Sequence, residues 1–246
     1  MTRSVRAMKT GPVTEEFDHA AASYDRLVGA NPGYHRHLRV SARRLRLAQG
    51  GTGQRILDVG CGTGASTAAL ARVFPRAEII GVEVSLGMLS RAREKPWPTR
   101  VRFLHARAEE LTPEDLDGPV DAILAAYLIR NCPDPDETLA TMCGLLPPGG
   151  RMALHEYSVA DDAMARAVWT AVSWGVIIPL GRAVTGRSDL YRYLWRSVLD
   201  FDGAARLRLR MRSVGLENVR TVALGGWQRG IVHTFLGRTP VGRRAS

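Results

Sequence analysis

Residues 55–66 read RILDVGCGTGAS, and this stretch decides the fold class. A short apolar run, typical of a buried strand, is followed at once by three glycines within five residues. Glycine allows a sharp turn and carries no Cβ, so a ligand can come close to the backbone there. The spacing fits the dinucleotide pattern G-x-G-x-x-G/A, and it also fits the tighter G-x-G-x-G loop of another cofactor. The loop alone therefore predicts a bound cofactor and leaves its identity open.

The chain after this loop alternates between strand-like and helical segments. ASTAALARVF reads as a helix, AEIIGVEV as a strand and LGMLSRARE as the next helix, and VRFLHA, VDAILAAY and GGRMALHEY continue as strands. Such alternation predicts a parallel sheet covered by helices. Two last strands, NVRTVALGG and RGIVHTFLGR, are close enough in the chain to pair antiparallel at the sheet edge. We predict an α/β, Rossmann-like fold with a mostly parallel seven-stranded sheet, an antiparallel edge strand and a helical cap.

Three segments flank or interrupt this alternation. Residues 1–13 are predicted to be a disordered tail, and residues 14–51 to form N-terminal cap helices. Residues 52–246 form the α/β domain, with an apolar, tryptophan-rich helical insertion at about 160–200.

The length suits one α/β domain with room for a cap, or at most two small domains, and we expect a cytoplasmic protein. The chain has 246 residues and a net charge of +10, which could favour nucleic acid, an anionic membrane or acidic ligands. Its basic residues are scattered arginines, apart from Lys9 and Lys95, and no aromatic-basic recognition motif occurs, so we expect no nucleic-acid partner. Three cysteines without a C-x-x-C pair predict free thiols and no metal site. The longest uncharged stretch, 167–181, is too short to span a bilayer.

A second cofactor signal is Glu83, which ends the strand-like run AEIIGVEV nineteen residues after Gly64. A carboxylate at this place can accept hydrogen bonds from two ribose hydroxyls. The glycine loop and Glu83 together indicate a nucleoside ligand, but they do not choose between NAD and S-adenosylmethionine.

Three details favour S-adenosylmethionine. The charge of Asp58, two residues before the first glycine, would repel a pyrophosphate but would help a sulfonium or an amino group. Met88 places an apolar side chain where adenine would stack, and HARAEEL after the third strand offers backbone and polar groups to the adenine edge. We therefore predict S-adenosylmethionine as the cofactor.

The motifs ILDVGCGTG, VEVSLGML, ARAEEL and LLPPGG resemble those of class I S-adenosylmethionine-dependent methyltransferases. A narrower resemblance, to the ubiquinone/menaquinone C-methyltransferase (UbiE/MenG) family, covers nearly the whole chain. It rests on FDHAAASYDRL, GYHRHLR, LIRNCPDPDETLATMCGLLPPGGRMALHEYS, YRYLWRSVLDF and GIVHTFLGR. The resemblance implies a methyltransferase domain over residues 52–246 and C-methylation of a prenylated quinol, similar to demethylmenaquinol or ubiquinol.

The residues above and this resemblance together define three sets of expected site residues. The expected catalytic residues are Arg130, Asn131 and Tyr24, which by resemblance face the reacting ring. The expected cofactor-binding residues, among which the resemblance singles out Thr63, Glu83 and Ala108, are Asp58, Gly60, Gly62, Thr63, Gly64, Glu83, Val84, Met88, Arg107, Ala108 and Ala126. The expected substrate-binding residues are His35, Tyr127 and Trp174.

The ring chemistry suggests roles for the polar residues. The enzyme must align two reactants and help a phenol lose its proton. Arg130 either pairs with a carboxylate or stabilises a phenolate; we predict the second, with Asn131 holding the ring or a water. His155 alternates with apolar residues, so a core role and a functional role both stay open.

Several departures from the family pattern leave the substrate open. Ala65 stands where the family usually has Asp, Arg107 where it has Asp or Asn, and Ala126 where it often has Ser. One alternative is C- or O-methylation of a polyketide, terpenoid or other secondary metabolite. A non-catalytic cofactor-binding scaffold is a further alternative, but the intact glycine loop and Glu83 argue against it.

The tryptophan-rich insertion has two interpretations. Its tryptophans pack the cap onto the sheet, or they form an apolar tunnel for a prenyl tail and touch an anionic membrane. The second predicts peripheral contact with the inner face of the membrane. A homodimer is a further expectation that the sequence allows.

Overall fold

A computed structural model describes residues 21, 25, 29, 33–186 and 188–242. The predicted tail, residues 1–13, lies outside the described residues. So does most of the first predicted cap helix, including the expected catalytic residue Tyr24.

The centre of the molecule is one seven-stranded sheet. Its strands are β1 Arg55–Val59, β2 Glu78–Glu83, β3 Val101–His105, β4 Ala122–Ala126, β5 Arg151–Tyr157, β6 Glu217–Ala223 and β7 Val232–Arg238. Their order is β3-β2-β1-β4-β5-β7-β6. Strands β1 to β5 pair in parallel, and β7 runs antiparallel to β5 and β6. The predicted mostly parallel sheet is confirmed, with the reversed strand β7 one place in from the edge strand β6.

Helices cover the sheet and form a cap at one end. Those bounded within the described residues are α1 Tyr34–Arg44, α2 Ala65–Val73, α3 Leu86–Arg93, α4 Pro135–Gly144, α5 Ala163–Val172, α6 Ile178–Thr185, α7 Asp189–Leu199 and α8 Ala204–Ser213. A π-helical turn, Ser173–Ile177, joins α5 and α6 into one continuous helix. Short 3₁₀ turns follow β3 at Ala108–Glu110 and β4 at Ile129–Asn131.

Local sequence signals explain where several helices begin. Asp134 caps α4 by accepting from two backbone N–H groups, and Pro135 stands at the first helical position, where no N–H is needed. Asp162 caps α5 in the same way, and the Ser85 hydroxyl accepts from the backbone N–H of Met88 at the start of α3.

The core lies on both faces of the sheet. Adjacent residues Ile56 and Leu57 of β1 are both fully buried and belong to two different apolar clusters, because successive side chains of a strand point to opposite faces. Burial on both faces explains why the parallel strands read as continuous apolar runs. It also leaves the carboxyl ends of the strands as the open edge of the sheet.

The order of the strands places a crevice at that edge. From β1 the chain continues to β2 on one side, and it later returns to β4 on the other side. Ligands of open α/β sheets bind outside the carboxyl ends of the strands at such a switch point. The glycine loop after β1 lies at this point.

The helices α5, α6 and α7 occupy the region of the predicted insertion. Trp169 is fully buried and packs against Tyr157 with ring centroids 4.8 Å apart, whereas Trp174 is 47% exposed. Within the described residues, one helix, Ala163–Val184, is long and apolar enough to cross a membrane by length and composition, and 22% of its most apolar 18-residue stretch is buried. The uncharged stretch 167–181 lies within this helix, which extends past it at both ends.

Candidate active site

The three glycines of the loop serve different purposes. Their φ angles are +69° at Gly60, +55° at Gly62 and +90° at Gly64, which favours glycine at each position. A Cβ on Gly60 would lie 2.9 Å from Leu128, and one on Gly64 would lie 2.7 Å from the Trp97 ring. A Cβ on Gly62 would meet nothing within 4 Å. Gly60 and Gly64 therefore make room for packing, and Gly62 borders the open space that a ligand can occupy.

Glu83, at the end of β2, connects the glycine loop to the start of α3. Its Oε2 accepts from the backbone N–H of Gly62 at 2.8 Å. Its Oε1 accepts from the N–H groups of Val84 at 3.0 Å and of Ser85 at 2.9 Å. The carboxylate is thus fixed at the wall of the crevice, at the strand end where ribose hydroxyls are expected.

Asp58 lies beneath the loop and is fully buried. Its Oδ2 accepts from the Ser66 hydroxyl at 2.8 Å and the Thr67 hydroxyl at 2.6 Å, while Oδ1 has no hydrogen-bond partner among the described residues. Burial raises the pKa of Asp58 to about 7, and the charge of Glu83 adds to this rise. A cationic group nearby would stabilise the ionised carboxylate, so the site fits a cofactor that carries a sulfonium and an amino group.

One cavity joins the ends of β1, β2, β3 and β4. Eight expected cofactor-binding residues line it: Gly60, Gly62, Glu83, Val84, Met88, Arg107, Ala108 and Ala126. Tyr127, Arg130 and Asn131 line the same cavity from the turn after β4. The structure therefore brings most of the expected cofactor residues and three of the expected substrate-side residues to one place. Asp58, Thr63 and Gly64 lie behind this surface.

Thr63 is tied to the N-terminal part of the chain. Its hydroxyl donates to Asp25 Oδ1 at 2.5 Å, and Lys95 Nζ contacts both the Thr63 carbonyl and Asp25 Oδ2 at 2.7 Å. Burial acts to raise the pKa of Asp25, but the bonds from Lys95 and Thr63 outweigh it and hold that pKa below its usual value. Asp25 therefore contacts the glycine loop directly at Thr63. Sequence reasoning missed it, although it follows Tyr24 within a family-like stretch.

Arg107 shows how one departure from the family pattern is accommodated. Its guanidinium contacts Glu109 at 2.5 Å and Glu110 at 3.4 Å, both within the 3₁₀ turn that it precedes. The positive charge of Arg107 is therefore balanced by the two carboxylates of the adjacent 3₁₀ turn.

Arg130 corrects a prediction. Its Nη1 donates to Glu156 Oε1 at 2.7 Å, with the two side chains only 5% and 1% exposed, and it also donates to the Tyr127 carbonyl at 3.0 Å. The predicted choice of a phenolate over a carboxylate partner is wrong, because a buried guanidinium requires a counter-charge and β5 supplies one. The Nε of Arg130 has no hydrogen-bond partner among the described residues.

The Arg130–Glu156 pair is electrostatically coupled. Burial acts to lower the pKa of Arg130, but the charge of Glu156 raises it overall. Burial raises the pKa of Glu156, and Arg130 opposes that rise. Each group therefore depends on the other to stay charged in this dry environment.

Asn131 is held at both ends of its amide. Its Nδ2 donates to the Tyr127 carbonyl at 3.0 Å, and its Oδ1 accepts from the Tyr193 hydroxyl at 3.0 Å. Tyr193 belongs to α7 and was not predicted as a site residue, although it lies in the family-like stretch YRYLWRSVLDF. The contact joins the cap directly to the turn after β4.

Tyr127 occupies an unusual backbone conformation with φ +57°. Its ring stacks on Tyr34 at 5.8 Å and meets Tyr157 at 4.9 Å and the edge of His155 at 4.8 Å. Its hydroxyl lies 3.0 Å from His155 Nε2. His155 is fully buried, and burial lowers its pKa to about 3, so its ring is neutral.

The other two expected substrate-binding residues lie away from the cavity wall. His35 is exposed and contacts the edge of Tyr34 at 5.4 Å. Trp174 packs edge-on against Trp195 at 5.5 Å, with the Arg192 guanidinium 5.8 Å from its ring centre. The structure therefore brings only Tyr127 of these three to the cavity. Across the described part of the chain, no group of three or more His, Cys, Asp or Glu residues is arranged to hold a metal.

Solved structures share this architecture. Phosphoethanolamine N-methyltransferase 2 of Haemonchus contortus, in complex with S-adenosyl-L-methionine, has a TM-score of 0.64 and 17% identity, covering 91% of this chain and 57% of that chain. The [4+2]-cyclase SpnF has a TM-score of 0.65 and 19% identity, covering 94% of this chain and 96% of that chain. At such identities the likeness concerns the fold alone.

The fold and the site define a class I methyltransferase that uses S-adenosylmethionine. A family model described as the ubiE/COQ5 methyltransferase family matches residues 4–238, and the chain belongs to that family. The demethylmenaquinone methyltransferase of Clavibacter sepedonicus is 31% identical over 248 residues, covering 100% of this chain and 98% of the relative. The ubiquinone/menaquinone biosynthesis C-methyltransferase UbiE of Vibrio campbellii is 32% identical over 227 residues, covering 89% and 85%. The family resemblance read from the sequence is confirmed.

Proposed function

We propose that the chain transfers the methyl group of S-adenosylmethionine to a ring carbon of a prenylated quinol similar to demethylmenaquinol or ubiquinol. The names of its curated relatives support this substrate class. The observation that carries the proposal is that the Arg130–Asn131 turn and the Gly62–Glu83 wall line one cavity. A ring held by the turn would therefore lie beside a cofactor held by the wall.

The reaction forms a carbon–carbon bond, breaks the bond between sulfur and the methyl carbon, and releases a proton from the ring carbon. The cofactor supplies an electrophilic methyl group when bound. Gly62 and Glu83 would hold and orient the nucleoside end of the bound cofactor, and an ionised Asp58 would favour its positive charge. Correct alignment of two reactants can supply several kcal/mol of the barrier reduction.

We propose a revised role for Arg130. Since Glu156 balances its charge, Arg130 stabilises the shape of the turn through its bond to the Tyr127 carbonyl and presents no free positive charge to the substrate. Asn131 keeps one fixed orientation because Tyr127 and Tyr193 hold both ends of its amide.

We also propose that the enzyme is cytoplasmic and contacts the inner face of the membrane, from which a prenylated quinol would be supplied. The contact would use the apolar cap face, which we define as Met164, Trp174, Val176, Leu180 and Val184, each between 44% and 72% exposed. Arginine is the only charged residue type in Ala163–Val184, at two positions, so the helix suits an anionic bilayer. A homodimer stays a prediction.

The test is incubation with isotope-labelled S-adenosylmethionine and a panel of acceptors, followed by mass spectrometry. The panel contains demethylmenaquinols of several prenyl lengths and water-soluble phenols of the polyketide type. We expect label in the prenylated quinols, and none with a Glu83→Ala control at low cofactor concentration. Label only in the water-soluble phenols would contradict the proposal and support secondary-metabolite methylation.

A further inference from the structure

A buried chain of hydrogen bonds runs from helix α1 to the cavity. Arg44 Nη1 donates to the Thr234 hydroxyl at 2.6 Å, and Thr234 lies 2.7 Å from the Ser41 hydroxyl. The Ser41 hydroxyl lies 2.8 Å from His155 Nδ1, and His155 Nε2 lies 3.0 Å from the Tyr127 hydroxyl. Ser41, Thr234 and His155 are all fully buried, so each proton in the chain needs an acceptor.

Arg44, the first residue of this chain, sets the direction in which the hydrogen bonds are donated. A guanidinium has donors and no acceptor, so Thr234 must accept from Arg44. If Thr234 then donates to Ser41, and Ser41 donates to His155 Nδ1, every buried hydroxyl proton has an acceptor. In this arrangement the neutral imidazole carries its proton on Nε2 and donates it to the Tyr127 oxygen.

The opposite direction also leaves one hydroxyl proton without an acceptor, but that proton then belongs to the fully buried Thr234 and not to the partly exposed Tyr127. If Tyr127 donated to Nε2, then Nδ1–H would donate to Ser41, and Ser41 would donate to Thr234. The Thr234 oxygen would accept twice, and its own proton would have no acceptor among its contacts in the described structure. Buried donors are rarely left without partners.

The favoured direction leaves the phenol proton of Tyr127 without an acceptor among the residues that the structure describes. Tyr127 is partly exposed and lines the cavity between the glycine loop and the turn after β4. We propose that Tyr127 keeps this proton and donates it in a hydrogen bond to a ring oxygen of the bound substrate, and that His155 is a positioning residue that keeps Tyr127 a hydrogen-bond donor. The proposal rests on the proposed function, since it names the group that meets the oxygen of a quinol.

The backbone supports the same assignment. The Tyr127 N–H donates to the His155 carbonyl at 2.7 Å, so His155 holds Tyr127 by both its backbone and its hydroxyl. The positive φ of Tyr127 is unfavourable for an aromatic residue and persists only where the surroundings enforce it. In this conformation the Tyr127 carbonyl accepts from both Arg130 and Asn131. Arg130 does not donate to the substrate oxygen, because Glu156 pairs it. In this proposal Tyr127, three residues earlier, is the donor instead.

A spectroscopic test needs no substrate. The protein is labelled with ¹⁵N-histidine, and long-range ¹H–¹⁵N correlations identify the tautomer of His155, which a His155→Gln variant assigns. We expect the Nε2–H tautomer at every pH between about 6 and 8. The Nδ1–H tautomer would overturn the proposal.

A kinetic test uses a short-chain demethylmenaquinol as the probe. Tyr127→Phe should lower kcat/KM by about 10- to 100-fold, as expected for losing a bond to a charged oxygen, and leave cofactor affinity within about twofold. Ser41→Ala interrupts the hydrogen-bond chain at a position distant from the cavity. It should lower kcat/KM by a smaller factor than Tyr127→Phe. Ser213→Ala removes an exposed hydroxyl and should change nothing.

The outcomes separate this proposal from the proposed function. A wild type that methylates no quinol refutes the proposed function, and with it the role given to Tyr127. An active wild type with unchanged kcat/KM in Tyr127→Phe overturns the proposal alone. Equal loss of cofactor affinity and kcat/KM in Ser41→Ala would show a purely structural chain and would also overturn it.

Discussion

At the scale of single residues, Asp58 links the charge of the cofactor to pH. Burial raises its pKa to about 7, so the unliganded protein holds a proton there that the unfolded chain releases near its ordinary value. This contribution to stability is complete below the unfolded pKa and is lost as the pH rises through about 7. Cationic cofactor favours the ionised form, so its binding should strengthen over the same range.

The corresponding prediction compares wild type with Asp58→Asn. The ratio of their S-adenosylmethionine affinities, measured by calorimetry, should rise about tenfold in favour of wild type between about pH 5.5 and 8. Taking the ratio removes the titration of the cofactor's own amino group. A ratio that does not change with pH would show that Asp58 does not sense the bound charge.

Glu83 permits a simpler prediction. Glu83→Ala removes a charge-assisted acceptor and also releases the Gly62 N–H, and it should weaken cofactor binding by roughly 1.5–3 kcal/mol. Calorimetry on this variant should be compared with Glu94→Ala, an exposed carboxylate on the neighbouring helix end that should bind normally. Equal affinity in both variants would count against Glu83 as a cofactor ligand.

The buried pair of Arg130 and Glu156 predicts a loss of stability. Arg130→Ala leaves Glu156 buried without its partner and should lower the free energy of unfolding by about 3–5 kcal/mol. The double variant Arg130→Met with Glu156→Leu should recover most of that stability in denaturant unfolding, but not turnover. Recovery of turnover as well would show that the pair only supports the fold.

At the scale of elements, the continuous helix Ala163–Val184 is the part whose surface least resembles that of a soluble domain. Its apolar cap face faces outward, and Trp174 carries the Arg192 guanidinium over its ring. Aromatic rings with adjacent arginines are common at the interface between membrane and water. The neighbouring helix α7 contacts Asn131 through Tyr193. A movement of the cap would therefore change the position of Asn131 in the active site.

We predict that the apolar cap face binds anionic vesicles. Leu180→Ser combined with Val184→Ser should reduce cosedimentation with phosphatidylglycerol vesicles at low salt at least about threefold, because less apolar area enters the bilayer. Leu209→Ser is a matched control on α8, where Leu209 is 61% exposed but lies outside the cap. Equal losses in both variants, or no binding by wild type, would contradict membrane contact through this face.

At the scale of the whole molecule, the sequence predicts the sheet and the position of Gly62 and Glu83 at the cavity well, because both depend on local signals. Strand, glycine loop and helix follow one another directly, and Glu83 ends the next strand. The Arg130–Glu156 and Tyr127–His155 contacts escape such reasoning, because they depend on the register that places β5 beside β4. The packing role of Gly60 and Gly64 also escapes such reasoning, because their neighbours Leu128 and Trp97 come from distant parts of the chain. The sequence also cannot show which tryptophan of the cap faces inward.

Methyl transfer to a ring carbon of a prenylated quinol fixes where the transferred methyl group lies in the product, and this position can be measured. The enzyme is given S-adenosylmethionine with a ¹³C-labelled methyl group and a demethylmenaquinol, and the product is examined by carbon NMR. We predict that the label appears as a methyl group bonded to a ring carbon. A label bonded to oxygen, or no labelled quinol while other phenols are methylated, would contradict the account.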